Sequence, residues 1–224
     1  AGSSHMEVED PESGNFMSDS SSQGGSLGVT MNDKKLGYNG TQNKVQINVQ
    51  AAQLPFPVEM SMAEAGFNLA MPISAADDPQ DFAFGITMGD FVMSDLIWSI
   101  FDPTAQLPRD PATIKLDLSG KAKMLVDIMD PEAAATADAP GELQALTLDK
   151  LLVNAVGAKI EGSGDFTFDN TDLETFDGFP RPIGDAFLSV NGANRVLDLL
   201  QSAGAMTAGD ISGARLAMGM IARS

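Results

Sequence analysis

Apolar and polar residues alternate with period two along much of this chain, and the longest such run organises the rest. From Pro111 to Pro131, Ile114, Leu116, Leu118, Ala122, Met124, Val126 and Ile128 hold even positions, while Lys115, Asp117, Ser119, Lys121, Lys123 and Asp127 hold odd ones. A turn at Gly120 would reset that phase. Because the phase is kept, Gly120 reads as a bend inside one continuing strand, where the backbone coils with no side chain to place. Fifteen residues at about 3.3 Å each would span roughly 50 Å, which predicts a long, curved, mainly antiparallel sheet with one apolar face.

Shorter runs supply its neighbours. Val45, Ile47 and Val49 alternate with Gln46, Asn48 and Gln50. Val58, Met60 and Met62 keep even phase, then Phe67, Leu69, Met71 and Ile73 keep odd phase, so a bulge or tight turn is expected at 63–66. Phe82, Phe84, Ile86 and Met88 form another strand after the Asp77-Asp78-Pro79 turn. Ser94 to Phe101 breaks the period. Leu96, Ile97, Ile100 and Phe101 take helical spacings there, with Ser94 placed to cap and Asp102-Pro103 to stop the helix. It carries the only tryptophan, Trp98, as a core or groove-edge anchor or as a ligand platform. Asp130 to Gly141 reads as an exposed connection. Two strands within Leu146 to Phe168 turn at Gly157, and Gly162 and Gly164 leave a strip without side chains on the apolar side of the second. Such a strip admits another backbone or a bound molecule. Ala186, Leu188 and Val190 make a last strand; Asn194–Ala203 and Ile211–Ala222 make two helices, the second capped by Asp210 and apolar enough to be buried or to pair with a continuation.

The first residues differ in character. Ala1 to Met6, AGSSHM, reads as a remnant of tag cleavage and cloning, and residues 7–36 as a flexible acidic lead-in rich in Ser, Gly, Asp and Glu. A single β-rich domain is then expected over 37–224, as a fragment of a longer protein. No apolar run approaches 18 residues, so no transmembrane segment is expected, and no signal peptide is visible.

Composition narrows the chemistry. Outside that remnant there is no histidine, since His5 is the only one, and the chain has no cysteine. Ser-His and Cys-His nucleophiles, His/Cys zinc sites and haem ligation by His are thereby removed. A net charge of −18 repels nucleic acid, and the scattered Lys and Arg form no footprint for it. Asp165, Asp169, Asp172, Glu174 and Asp177 form the densest acidic cluster, as solvated turn residues or as calcium ligands, though without the spacing of a helix-loop-helix calcium loop. A carboxylate pair for hydrolysis would need two of them in a cleft. Arg109 and Arg181 each sit next to prolines, as an anion clamp or a structural brace. Thirteen methionines are the more telling number. Met60, Met62, Met71, Met88, Met124 and Met129 lie on or beside strands, where flexible thioethers suit a soft core or an adaptable apolar surface.

Phe101 to Leu125 and Gly162 to Gly184 resemble an uncharacterised proteobacterial envelope family known only as domain of unknown function 2125. That resemblance implies an exported, periplasmic protein and lends no catalytic residues. The long one-faced strands also resemble, at the level of fold, envelope proteins of the AsmA type, whose curved sheets form an apolar trough for lipid. The expectation is an α+β, mostly β protein whose curved sheet carries a few short helices on one face. Its expected function is non-enzymatic binding of lipid or an acyl chain by Ile114, Leu116, Leu118, Met124, Val126, Trp98, Met60 and Met62, with no cofactor or metal. The alternative is an envelope scaffold that docks a protein partner through sheet edges and the C-terminal helix.

Overall fold

The central strand runs straight through its glycine. In the computed structural model, which describes residues 2–8, 14–137, 139–202, 204 and 206–221, β7 spans Ala112–Met124 and pairs Gly120 with Phe82 on one side and Leu146 on the other. A side chain at Gly120 would collide with the Ala145 carbonyl oxygen and the Phe82 ring, which is why this position is bare. The strand ends earlier than the alternation does. After Met124 the Leu125 amide donates to the Pro140 carbonyl and the Ile128 amide to the Ile73 carbonyl, so Val126 and Ile128 belong to a loop despite their phase.

Around β7 lies one ten-stranded antiparallel sheet. The strands are β1 (Gly2–Val8), β2 (Phe16–Ser22), β3 (Gly25–Met31), β4 (Lys35–Ala51), β5 (Val58–Pro72), β6 (Gln80–Met93), β7, β8 (Gly141–Ala155), β9 (Ala158–Asp169) and β10 (Arg181–Asn191). Their order is β1-β2-β4-β5-β6-β7-β8-β9-β10, with β3 also paired to β4. The predicted turn at Gly157 is present, with Val156 and Gly157 both at positive φ as a two-residue hairpin requires.

The expected flexible lead-in is instead part of this sheet. β2 and β3 lie end to end along β4, interrupted only at 23–24, and Leu27, Val29 and Met31 share the face of Gly40, Tyr38 and Leu36. Their composition is poor, but the seventeen-residue β4 supplies a ladder that satisfies their backbone. The segment read as a cloning remnant extends the sheet further as β1, paired with β2. Glu9 to Ser13 of the lead-in lie outside the described residues, as do Ala203 and Ala222 at the expected ends of the two C-terminal helices.

Four short helices sit at the margins: α1 (Asp95–Phe101), α2 (Pro131–Thr136), α3 (Ala193–Ser202) and α4 (Ala208–Ile221). α1 touches β5, α3 touches β9, and α4 packs on α3. The helix α2 arises where a loop was expected, because Asp130 caps the amides of Glu132 and Ala133 and Pro131 opens the first turn. Two caps also differ from expectation. Ser94 precedes α1 but its hydroxyl makes no cap bond, and α4 is capped by a reciprocal Thr207–Asp210 pair rather than by Asp210 alone. Nor is α4 buried as a whole, since Ile211 is enclosed while Leu216 and Met220 are exposed.

The result is a single layer with a small core. Val45, Met62, Ile73, Ile97, Met124 and Ile211, with Pro72, are the buried apolar side chains among the described residues. The accessible surface is 14039 Å². A compact monomer of this mass would expose about 9,800 Å², so the chain exposes roughly 4,000 Å² more than a two-layer domain does.

Candidate ligand-binding face

Register decides which side chains share a face. In an antiparallel sheet, directly paired residues project to the same side. Leu116 of β7 pairs with Ile86 of β6, which pairs with Phe67 of β5, and on the other flank with Leu151 of β8. Leu118 likewise continues into Phe84 and Leu69, and Ile114 into Val153 and Ile160. One apolar face therefore runs across seven strands from β4 to β10. The opposite face takes Lys115, Asp117, Lys121, Lys150, Glu161 and Asp165, with Lys121 Nζ 2.9 Å from Asp81.

The phase slips fit this division. Lys44 of β4 and Asp90 of β6 stand at positive φ on either side of Ala63, and Gly24, between β2 and β3, is also at positive φ. The hydrophobic phase changes on β4, β5 and β6 along that one line. On β6 the resulting bulge sets Phe91 opposite Ala112, on the side that carries Ile114. A break that shifts three strands together keeps their apolar residues on one surface. By register, no acidic or basic residue of β3 to β10 falls on it among the paired positions.

Among the described residues no second layer covers the centre of that surface; Val45, Met62 and Met124 at its margins are buried. Phe67, Phe84 and Ile86 are exposed, and Ile114, Leu116 and Leu118 are half-buried rather than buried. Seven strands at about 4.8 Å and thirteen residues at about 3.3 Å give a face on the order of 1,400 Å². That is well above the few hundred Å² of contiguous apolar surface a soluble monomer usually shows.

The expected site residues divide accordingly. Ile114, Leu116 and Leu118 stand in a row at the centre, and Met124 closes the end of β7, buried. Met60 and Met62 lie beyond the phase slip, paired with Ile47 and Val45. Val126 is off the strand, in the loop after Met124. Trp98 is on α1, under the Arg109 guanidinium at 5.7 Å, and Arg109 also reaches Asp95 at 2.6 Å. Arg109 thus braces a carboxylate and the half-buried ring of Trp98. Phe84, Ile86, Leu148 and Leu151 belong to the face although sequence reasoning omitted them from the site; the even phase of β6 was the signal for the first two. The bare strip at Gly162 and Gly164 is narrowed by neighbours, since Leu188 and Leu151 close on Gly162 and Ala186 on Gly164.

A cavity of about 640 Å³, polar and apolar in equal measure, lies toward the opposite side, where Asp19, Gln46, Asn48 and Glu59 meet Val92 and, from β1, His5. Of the expected site residues, Met60 alone reaches it. The acidic cluster lines neither this hollow nor its neighbour. The Thr171 hydroxyl and amide hold the Asp169 carboxyl below its usual range, and the Thr175 amide and hydroxyl do the same for Asp172. These are turn-building bonds. Among the described residues no three carboxylates or histidines are grouped to hold a metal ion.

A family model described as "Uncharacterized protein conserved in bacteria (DUF2125)" matches residues 9–224. The chain belongs to that family. The match takes in the DUF2125 chain from just after β1 through α4, including the β2 and β3 segment. No curated protein and no solved structure matches it. Among the described residues of this DUF2125 protein, no helix is long and apolar enough to cross a membrane.

Proposed function

We propose that this protein is a non-enzymatic lipid-binding protein of the bacterial cell envelope, acting in the periplasm, whose open sheet face holds acyl chains. The observation that carries it is the uncharged surface spread over seven strands around Ile114, Leu116 and Leu118, whose centre no layer of the described residues covers. A methylene that leaves water completely gains about 0.8 kcal/mol, so one covered on a single side gains about half of that. A sixteen-carbon chain lying along the strands would gain about 6 kcal/mol, an affinity of tens of micromolar. Several chains side by side fit the width of the face.

Protein purified from a bacterial host and examined by native mass spectrometry should carry adducts with lipid masses, matched by solvent extraction of the same sample. Lipid-free protein that also fails to take up added phospholipid would overturn the proposal. The competing scaffold role draws support from the exposed Leu216 and Met220 on α4. It would be favoured by an envelope protein cross-linked to α4 in lipid-free material.

A further inference from the structure

Beyond the lipid reading, and independent of it, one edge of the sheet is built unlike the others. β10 pairs with β9 over all eleven residues without a bulge, so beyond Arg181, whose amide donates to the Asp172 carbonyl, it presents a long regular ladder that no strand of the described residues uses on its outer side. It carries no lysine, and its one proline lies at the start. Edges are ordinarily guarded by such residues, by bulges or by brevity. β3, an edge strand at the opposite end of the sheet, keeps apolar residues on one face only, with Ser26, Gly28 and Thr30 on the other. On β10 both faces carry large apolar side chains, although Arg181, Asp185, Ser189 and Asn191 share the second. Leu188 and Val190 project to the lipid side, while Ile183 (54% exposed) and Phe187 (66% exposed) project to the polar side. The β9 neighbours of those two are Thr167 and Ser163, so nothing on the inner flank can cover them.

We infer that the occupant is a second copy of this chain, joined through antiparallel pairing of β10 with β10 about a two-fold axis at Phe187. The strand is self-complementary in that register. On the apolar face it reads small, small, large, large: Gly184, Ala186, Leu188, Val190. Rotation about Phe187 sets Gly184 against the second copy's Val190 and Ala186 against its Leu188, so each large side chain meets a small one. On the other face Asp185 falls opposite Ser189, and the two Phe187 rings meet at the axis. A register centred on Asp185 would oppose two carboxylates, and one centred on Ala186 would set Phe187 against Asp185. The axis stands perpendicular to the sheet, so the two apolar faces join on one side into a doubled surface.

The chain has no cysteine, which makes a direct test available. Directly opposed Cα atoms in an antiparallel pair lie about 4.5 to 5.5 Å apart, within disulfide range. Phe187→Cys should therefore form a covalent dimer under mild oxidation at least tenfold faster than Leu216→Cys, whose site is 67% exposed but lies on α4, outside the paired strand. In sedimentation velocity the unmodified chain should show a concentration-dependent dimer that grows with added salt, because two partners of charge −18 repel until screened. Phe187→Lys should abolish it while leaving the thermal transition in place. Equal cross-linking of the two cysteine variants, or a monomer at every salt and protein concentration, would overturn the proposal and leave the edge for another protein's strand.

Discussion

Placing a charge at the centre of the apolar face separates an open surface from a core. Ile86 lies on β6 between Phe67 and Leu116 and is 39% exposed. In Ile86→Lys, two cross-strand apolar pairs are lost at about 0.2 to 1 kcal/mol each, and the lysine keeps its ammonium in water by extending past its neighbours. The expected cost is about 1 kcal/mol. With a urea slope near 2 kcal/mol per molar, the unfolding midpoint should fall by about 0.5 M. Had the face been covered by a second layer, the same change would strand a charge in a core at a cost of about 3 to 5 kcal/mol. Acyl binding should respond in the opposite proportion. An ammonium in the footprint displaces three or four methylenes, about 1.5 kcal/mol, and should weaken uptake of a fluorescent fatty acid about tenfold. A midpoint drop of 1.5 M or more with unchanged uptake would refute the single open layer.

Other perturbations probe the frame that holds the face. Asp102 is fully buried and accepts from the amides of Gln106 and Leu107 at 2.9 Å each, so Asp102→Ala should cost about 2 to 3 kcal/mol in urea unfolding by freeing the loop that feeds β7. Gly120→Val should destabilise by about 2 kcal/mol or more, because its Cβ would meet the Ala145 carbonyl and Phe82 ring; an unchanged midpoint would mean that β7 is not continuous there. Arg109→Lys should shift the emission of Trp98, the sole tryptophan, with a loss of stability under about 1 kcal/mol. The carboxyls of Asp169, Asp172 and Asp210 have folded pKa values below the ordinary value near 3.9. Their contribution is present above that value and lost as pH falls through the lower folded ones. The protection of the Thr171 and Thr175 amides, measured as exchange relative to the intrinsic rate at each pH, should thus hold from pH 7 to about 4 and fall only in stronger acid, whereas loss of protection by pH 5 would refute the turn bonds.

The face was legible because a sheet with one apolar side imposes a period of two that loops do not share. Ile114, Leu116 and Leu118, and the β5 slip near Ala63, could be read for that reason. The end of β7 was not legible, since Val126 and Ile128 keep the period while the Ile128 amide turns away to Ile73. Residues 16–31 misled because their Ser and Gly content argues against a core, and a single-layer sheet asks them only for hydrogen bonds along β4. The helix at Pro131–Thr136 was announced by Asp130-Pro131, a capping signal outweighed by the surrounding Ala and Pro. Alternation alone also gave no sign of how little the helices cover.

Which side of the ribbon meets lipid can be read directly from methyl resonances. Stearic acid bearing a nitroxide on its chain, titrated into methyl-labelled protein, should broaden Ile86, Ile114, Leu116, Leu118 and Leu151 while sparing the backbone amides of the 169–177 loop. Broadening confined to Leu216, Met220 and the loops, with the methyls of β6 to β8 unaffected, would contradict an open acyl-binding sheet face.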